Sequence, residues 1–293
     1  MSKMSKIPDR VPLEPIKNLP LIDGHCHIPW NAPPPQGLLS YEDQYALFFD
    51  EKGQFLISCS TDTETYEILK KFTQTHPNMG FTAGWAPQNE VYMKSHEHTM
   101  QFERYLEYLN FDTSSYLGIG EIGLDFHHAK SLPQRNDQIK YFRLIIQKTM
   151  HLNKPYILHV RNPAENDQDS EHPNHEFNAN DAANQQIWNI LNEEKIPLSS
   201  VIWHCYSGPK SWSKRLLDAG CYLSVPTSAF GKNRWRKLIE NAPINQLLTE
   251  TDSPYQHPYL LSLIYRTYVI LRSSRRSILY IQENKTYSRV IPV

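Results

Sequence analysis

A single-domain parallel (β/α)8 TIM barrel is the fold that this sequence predicts, on three observations. Its 293 residues exceed an average domain but suit a barrel, which commonly runs to about 250 residues as one unit. Short apolar runs recur along the chain at 19–28, 54–61, 80–87, 116–125, 154–161, 199–208, 221–227 and 246–255, eight in all. Between them lie amphipathic stretches such as 62–76, 96–110 and 133–153, where apolar residues return every three or four positions. Strands alternating with helices in this way argue for a parallel sheet, and eight regular units favour a barrel over a doubly wound sheet.

Two segments depart from the rhythm. Residues 162–184, after the fifth run, carry six carboxylates and neither Lys nor Arg, and read as a polar acidic loop over the barrel mouth. Residues 259–293 form a divergent tail with a poor helical pattern, so the C-terminal closure of the barrel is expected to be atypical or incomplete. Its basic residues read as a solvated tail rather than a nucleic-acid patch. The expected organisation is an N-terminal extension at 1–18, a barrel at 19–258 and that tail.

Composition narrows the function classes. Hydrophobic residues make up 40% and charged residues 21%, as in ordinary globular proteins. A net charge of -1 provides no global positive field to gather nucleic acid or anionic lipid, so any polyanion must be bound locally. The N-terminus has no apolar signal core, and the most apolar late stretch, 259–271, is short and carries Arg266, so no membrane segment is expected. Cys26, Cys59, Cys205 and Cys221 lack CxxC spacing and read as buried thiols of a reducing compartment, cytoplasmic or, in a eukaryote, nuclear.

The polar residues that interrupt the apolar runs carry the chemistry. His25 and His27 end the first run, Glu121 is late in the fourth, His159 late in the fifth, His204 in the sixth, and Asp252 ends the eighth. Carboxyl ends of barrel strands form the catalytic face. Strand side chains alternate, so His25 and His27 point together toward the barrel axis while Cys26 faces the helix layer. Each residue alone also has a structural reading, as a core histidine or a turn-initiating acid. Together, six such groups buried at one end of a core without a cation would cost several kcal/mol each. Four imidazoles and two carboxylates suffice for two divalent ions, and Glu121, central in strand order, is the candidate bridge.

The motifs DGHCH, GEIGLDFHH, KPYILHVR, WHCYSG and LLTETDSPY, in that order, resemble the TatD family of metal-dependent deoxyribonucleases in the amidohydrolase superfamily. The resemblance spans about residues 19–258 and implies that His25, His27 and Asp252 hold one ion, His159 and His204 the other, and that Glu121 joins them. Arg161 and Asp125 match supporting residues, while His127 or His128 is a candidate phosphate contact. Trp30, Tyr206 and Tyr255 are candidate base-stacking residues, and His172 and His175 are loop histidines within possible reach of the ions. The family's Asn-Pro segment after the TDSP motif and its two closing helices are absent from the tail.

The implied activity is two-metal hydrolysis of phosphodiester bonds, with single-stranded DNA ends as substrate and Mg2+, Mn2+ or Zn2+ as cofactor. Asp252 would accept a proton from the attacking water and the ions would offset charge on the phosphoryl oxygens. The acidic loop argues instead for a small amide, ester or phosphoester as substrate. A non-catalytic interaction protein is a third reading, and retention of all six residues speaks against it. The sequence names no protein partner.

Overall fold

The computed structural model describes residues 21–34, 36, 39–50, 53–164, 169–226 and 233–254. Eight parallel strands are present: β1 (Leu21–Cys26), β2 (Gly53–Cys59), β3 (Met79–Thr82), β4 (Ile119–Asp125), β5 (Tyr156–Arg161), β6 (Val201–Trp203), β7 (Tyr222–Pro226) and β8 (Leu247–Glu250). Helices α1 (Tyr41–Asp50), α2 (Thr63–Thr75), α3 (Asn89–Tyr92), α4 (Ser95–Phe111), α5 (Leu132–Thr149), α6 (Ala182–Glu193), α7 (Lys210–Asp218) and α8 (Asn233–Asn241) lie between them. This is the predicted (β/α)8 arrangement. The extension at 1–18, Tyr255 and the tail at 259–293 lie outside the described residues.

The ladder runs β1-β2-β3 and β4-β5-β6-β7-β8, and hydrogen bonds cross both seams. Between β3 and β4 an isolated bridge pairs Ala83 with Ile119, and Gly120 N donates to Ala83 O at 2.8 Å. Gly84 must be glycine there, because a Cβ would stand 2.0 Å from Ser60 O and 2.3 Å from Glu121 N. Between β8 and β1, Thr249 Oγ1 donates to Ile22 O at 2.9 Å and Thr251 N to the Asp23 carboxylate at 2.9 Å. Burial raises the Asp23 carboxyl to about 7, against the pull of those Thr251 hydrogen bonds.

Sequence rules explain the helix starts. Asp62 caps α2 by accepting from Thr65 N at 2.7 Å, and Ser131 caps α5 in a box completed by Gln134. The amphipathic stretch 133–153 is α5 followed by a one-turn 3-10 segment at Met150–Leu152, ended by Asn153 at φ 52°. β6 is much shorter than its apolar run, because the chain turns at Cys205, whose φ is 43°.

Two layers of core sit on either side of the strands. Helix-facing residues such as Cys26, Leu56, Ile122, Leu158 and Trp203 join the large outer cluster, while Ile22, Ile57, Cys59, Ile157, Ile202 and Leu248 form a small inner one. The register of β1 against β2 slips between Asp23 and Cys26, so three steps on β1 match two on β2. That extra residue reverses the strand's phase. Ile22 and His25, an odd number apart, therefore both face the interior. A second slip, between Ile119 and Ile122 of β4, leaves both isoleucines in the outer cluster and turns Glu121 inward.

The described parts of the acidic segment, 162–164 and 169–184, carry more structure than a plain loop. Phe177 and Asn178 are buried in a 3-10 turn, and α6 begins at Ala182. Buried Arg135 of α5 holds this segment by donating to Phe177 O at 2.7 Å and to Asn178 Oδ1 at 2.5 Å. Asp169 accepts from Leu132 N at the start of α5, and Asp181 from Trp212 Nε1 at 2.9 Å. These two carboxylates tie the segment to neighbouring helices.

Helix α3 is pinned by Glu90, which is buried, accepts from Trp85 Nε1 at 3.0 Å and lies 3.3 Å from His98 Nε2. Burial pushes its carboxyl above the usual value of 4.5, and His98 and Trp85 offset only part of that. The folded chain thus holds this proton more tightly than the unfolded chain, so the stability it contributes is lost as pH rises above 4.5. Glu90→Gln should raise the melting temperature little at pH 4.5 and by about 2–4 °C at pH 7.5, as thermal denaturation across pH will show.

Candidate metal centre

Six side chains from five strands converge above the inner apolar layer. From the end of β1, His25 Nε2 and His27 Nε2 lie 3.2 Å apart, and Glu121 Oε2 of β4 is 3.5 and 3.2 Å from them. Asp252, two residues beyond β8, places Oδ1 3.7 and 3.6 Å from the same two nitrogens. The other Glu121 oxygen, Oε1, faces His159 Nδ1 of β5 at 2.5 Å and His204 Nε2, just past β6, at 3.5 Å. Glu121 therefore divides its two oxygens between two histidine pairs. All six residues expected as ligands are brought together, and three donor groups emerge: His25 with His27 and Glu121, Glu121 with His159 and His204, and His25 with His204 and Glu250.

The backbone sets these positions. Asp252 adopts φ 56°, a left-handed conformation that Asp tolerates better than most residues, with its N–H donating to His25 O at 3.0 Å. His27 N donates to Ser253 O at 2.6 Å, so the end of β8 hooks over the histidine pair. Gly123 has φ 148°, and a Cβ there would come within 2.0 Å of His159 O, so β4 and β5 approach closely only because this residue is glycine.

Charge compensation shapes the acidities. Burial opposes ionisation of Glu121, but the His204 and His159 rings outweigh it and hold its carboxyl well below the ordinary range. Burial likewise opposes charge on His159, while Glu121 and Asp125 on its two sides raise it to about 9. His27 and His204 are raised against burial chiefly by Glu121, whereas burial and the neighbouring His204 lower His25. His25 and His204 stack with ring centroids 3.9 Å apart. Such a donor set, with the Nε2 atoms of His25 and His27 aimed at each other and at carboxylates, fits divalent cations of borderline hardness. His204 Nδ1 and Glu250 Oε1 are buried without a hydrogen-bond partner, which fits the same reading.

Supporting residues are arranged around this core. Asp125 Oδ2 accepts from Gln88 Nε2 at 2.8 Å and meets His128 Nδ1 at 2.8 Å and His159 Nε2 at 2.9 Å, fixing the ring that faces Glu121. His127 is half-buried with its ring edge against His128. Arg161 is exposed at the end of β5, opposite Asp125 in the ladder, and among the described residues no ion pair engages it. Trp30 is partly buried, its ring 5.7 Å from that of His27.

Two expectations require correction. Tyr206 is buried and its hydroxyl donates to Pro209 O at 2.6 Å, so its ring packs in the core and offers no stacking face. His172 and His175 are held in their own segment, His172 beside Asp169 at 3.4 Å and His175 accepting from Phe177 N at 3.2 Å. Neither joins a donor group. Glu250 was not anticipated: it lies on the same face of β8 as Asp252, two residues earlier, which is the signal that the sequence carried. Its Oε2 accepts from Ser224 Oγ of β7 and stands 3.6 Å from His204 Nδ1.

Parallel strands delivering a buried histidine and carboxylate cluster to their carboxyl ends define a metal-dependent hydrolase of the barrel type. The family model described as TatD related DNase matches residues 22–275, and the chain belongs to the TatD family. An uncharacterized metal-dependent hydrolase of Buchnera aphidicola is 27% identical over 244 residues, 81% of this chain and 82% of the relative. The 3'-5' ssDNA/RNA exonuclease TatD of Salmonella typhimurium is 27% identical over 145 residues, 48% of this chain and 47% of its own. The crystal structure of the TatD homolog YjjV from Escherichia coli superposes with a TM-score of 0.70 at 17% identity, covering 93% of this chain and 98% of that one.

Asp125→Asn exchanges an acceptor oxygen for a donor amide beneath His159. Isothermal titration should show divalent-metal affinity reduced about 10–100-fold, the usual cost of losing a partner behind a ligating histidine.

Proposed function

We propose that this chain is a two-metal nuclease acting on the ends of single-stranded nucleic acid. The observation that carries the reading is the division of Glu121, with Oε2 toward His25 and His27 and Oε1 toward His159 and His204. A carboxylate so placed is suited to be shared by two cations, one held with His25, His27 and Asp252, the other with His159 and His204. Membership of a family described as TatD related DNase, and likeness over half the chain to a 3'-5' ssDNA/RNA exonuclease, favour a nucleic-acid substrate.

Bound divalent ions supply charge neutralisation at a phosphoryl oxygen and lower the pKa of water. The chain's own groups do the rest. Asp252, with 28% of its side chain exposed, is the most open of the six and is placed to accept the proton of an attacking water. Glu121 and His25, nearly buried, keep the cluster rigid and exclude bulk solvent from its floor. Arg161 presents a guanidinium at the rim of β5, where it would hold a phosphate and align the scissile bond. His127 stands on the adjoining connection as a second phosphate donor, and the partly buried Trp30 offers an aromatic face beside His27 for a terminal base.

The test is release of nucleotides from end-labelled single-stranded DNA and RNA with Mg2+, Mn2+ or Zn2+. Glu121→Ala should abolish turnover by about 10³-fold or more, and a chelator should do the same to the parent. Hydrolysis of small phosphodiesters or amides with no action on either polymer would overturn the nuclease reading and leave a small-molecule hydrolase. Arg161→Ala should raise KM about tenfold with kcat within about threefold, and reduce the salt slope of kcat/KM by about 0.7, the value of one single-strand phosphate contact.

A further inference from the structure

A neutral imidazole carries one N–H and one lone pair, so a histidine can ligate through a given nitrogen only if its proton sits on the other. The partner on the far side of each ring decides this. Behind His27, Nδ1 lies 2.9 Å from Cys59 O, a carbonyl that only accepts, so the proton is on Nδ1 and the lone pair of Nε2 faces Glu121 and Asp252. His159 is the mirror case, with Nε2 against the Asp125 carboxylate and Nδ1 toward Glu121. His25 differs from both. Its Nδ1 faces a thiol, Cys59 Sγ, at 3.2 Å.

A thiol can donate or accept, so the direction of that contact depends on where the sulfur's own proton goes. On the other side of the ring, His25 Nε2 faces Glu121 Oε2 at 3.5 Å and Asp252 Oδ1 at 3.7 Å, so a cation held there needs the lone pair of Nε2. With Nε2 open to a cation the proton sits on His25 Nδ1, and the sulfur lone pairs accept from it.

We infer that Cys59 is a positioning residue for both histidines of the 25–27 pair, its carbonyl orienting His27 and its thiol holding His25 in the form whose Nε2 is open to a cation; this rests on the metal-centre reading above. Its neighbour on β2 grips the same segment from the other face: Ser58 Oγ accepts from Ile28 N at 3.0 Å and donates to Cys26 O at 3.3 Å. The end of β2 thus clamps residues 26–28 from both sides.

Cys59→Ala removes the thiol but keeps the carbonyl, and Cys59→Ser keeps a group that both accepts and donates. In the metal-free protein, imidazole 15N shifts should place the His25 proton on Nδ1 in the parent and in Cys59→Ser, and move it wholly or partly to Nε2 in Cys59→Ala. Titration with Mn2+ or Zn2+ should show affinity lowered about tenfold or more in Cys59→Ala and within about threefold of the parent in Cys59→Ser. An unchanged His25 proton position in Cys59→Ala overturns the inference, and so does unchanged affinity. A lower melting temperature with both unchanged would mark Cys59 as a core residue only. If the parent binds neither ion, the metal-centre reading fails while the 15N shifts still decide the role of Cys59. Should Cys59→Ala not fold, Cys59→Val, which retains volume, replaces it in both measurements.

Discussion

Burial of the Glu121 carboxylate among four imidazoles is the constraint on which the rest of this structure depends. A lone carboxylate taken that far from water would cost several kcal/mol. Here four rings stand within 3.5 Å of its oxygens, and Asp252 faces two of them from the opposite side. Positive charge is needed to balance these acids, whether as protons on the histidines or as cations between them. The family's metal dependence and the local acidities are thus two aspects of one electrostatic requirement, and removal of any member leaves its neighbours with uncompensated charge.

The fold meets that requirement by controlling strand phase. Regular alternation alone would have directed His25 toward the helices, because Ile22 already faces inward. The slip in β1 corrects this, and the slip in β4 does the same for Glu121. β5 needs no such device, since Ile157 and His159 share one face in register with β4 and β6. Of the three slips, those before His25 and Glu121 lie where a side chain must be re-aimed, as is common beside active sites, and the third falls between Leu21 and Ile22 at the start of β1.

Much of this was legible in the sequence. Apolar runs separated by helical stretches gave the element order, because period-two and period-3.6 patterns survive in any such fold. The six clustered residues stood out because polar groups ending apolar runs have few explanations. Other features left little trace. Glu250 reads as one more acid beside Asp252, and Cys59 as an ordinary apolar strand residue, since their roles depend on which neighbours the barrel curls against them. Asp23 was equally obscure: its partner is Thr251, just past the last strand. Tyr206, near the end of the sixth run, was a candidate for stacking, yet it packs in the core with its hydroxyl donating to Pro209 O. The order within 162–184 comes from Arg135, distant in sequence and invisible to local pattern.

The apolar layer under the cluster has a further consequence. Ile22, Ile57, Ile157, Ile202 and Leu248, with Phe55, Leu117 and Tyr222 packed against them, fill the interior below the histidines. Among the described residues this layer is apolar. Water and protons that exchange with the cluster are therefore expected to pass on the side of Asp252, whose side chain is the most exposed of the six.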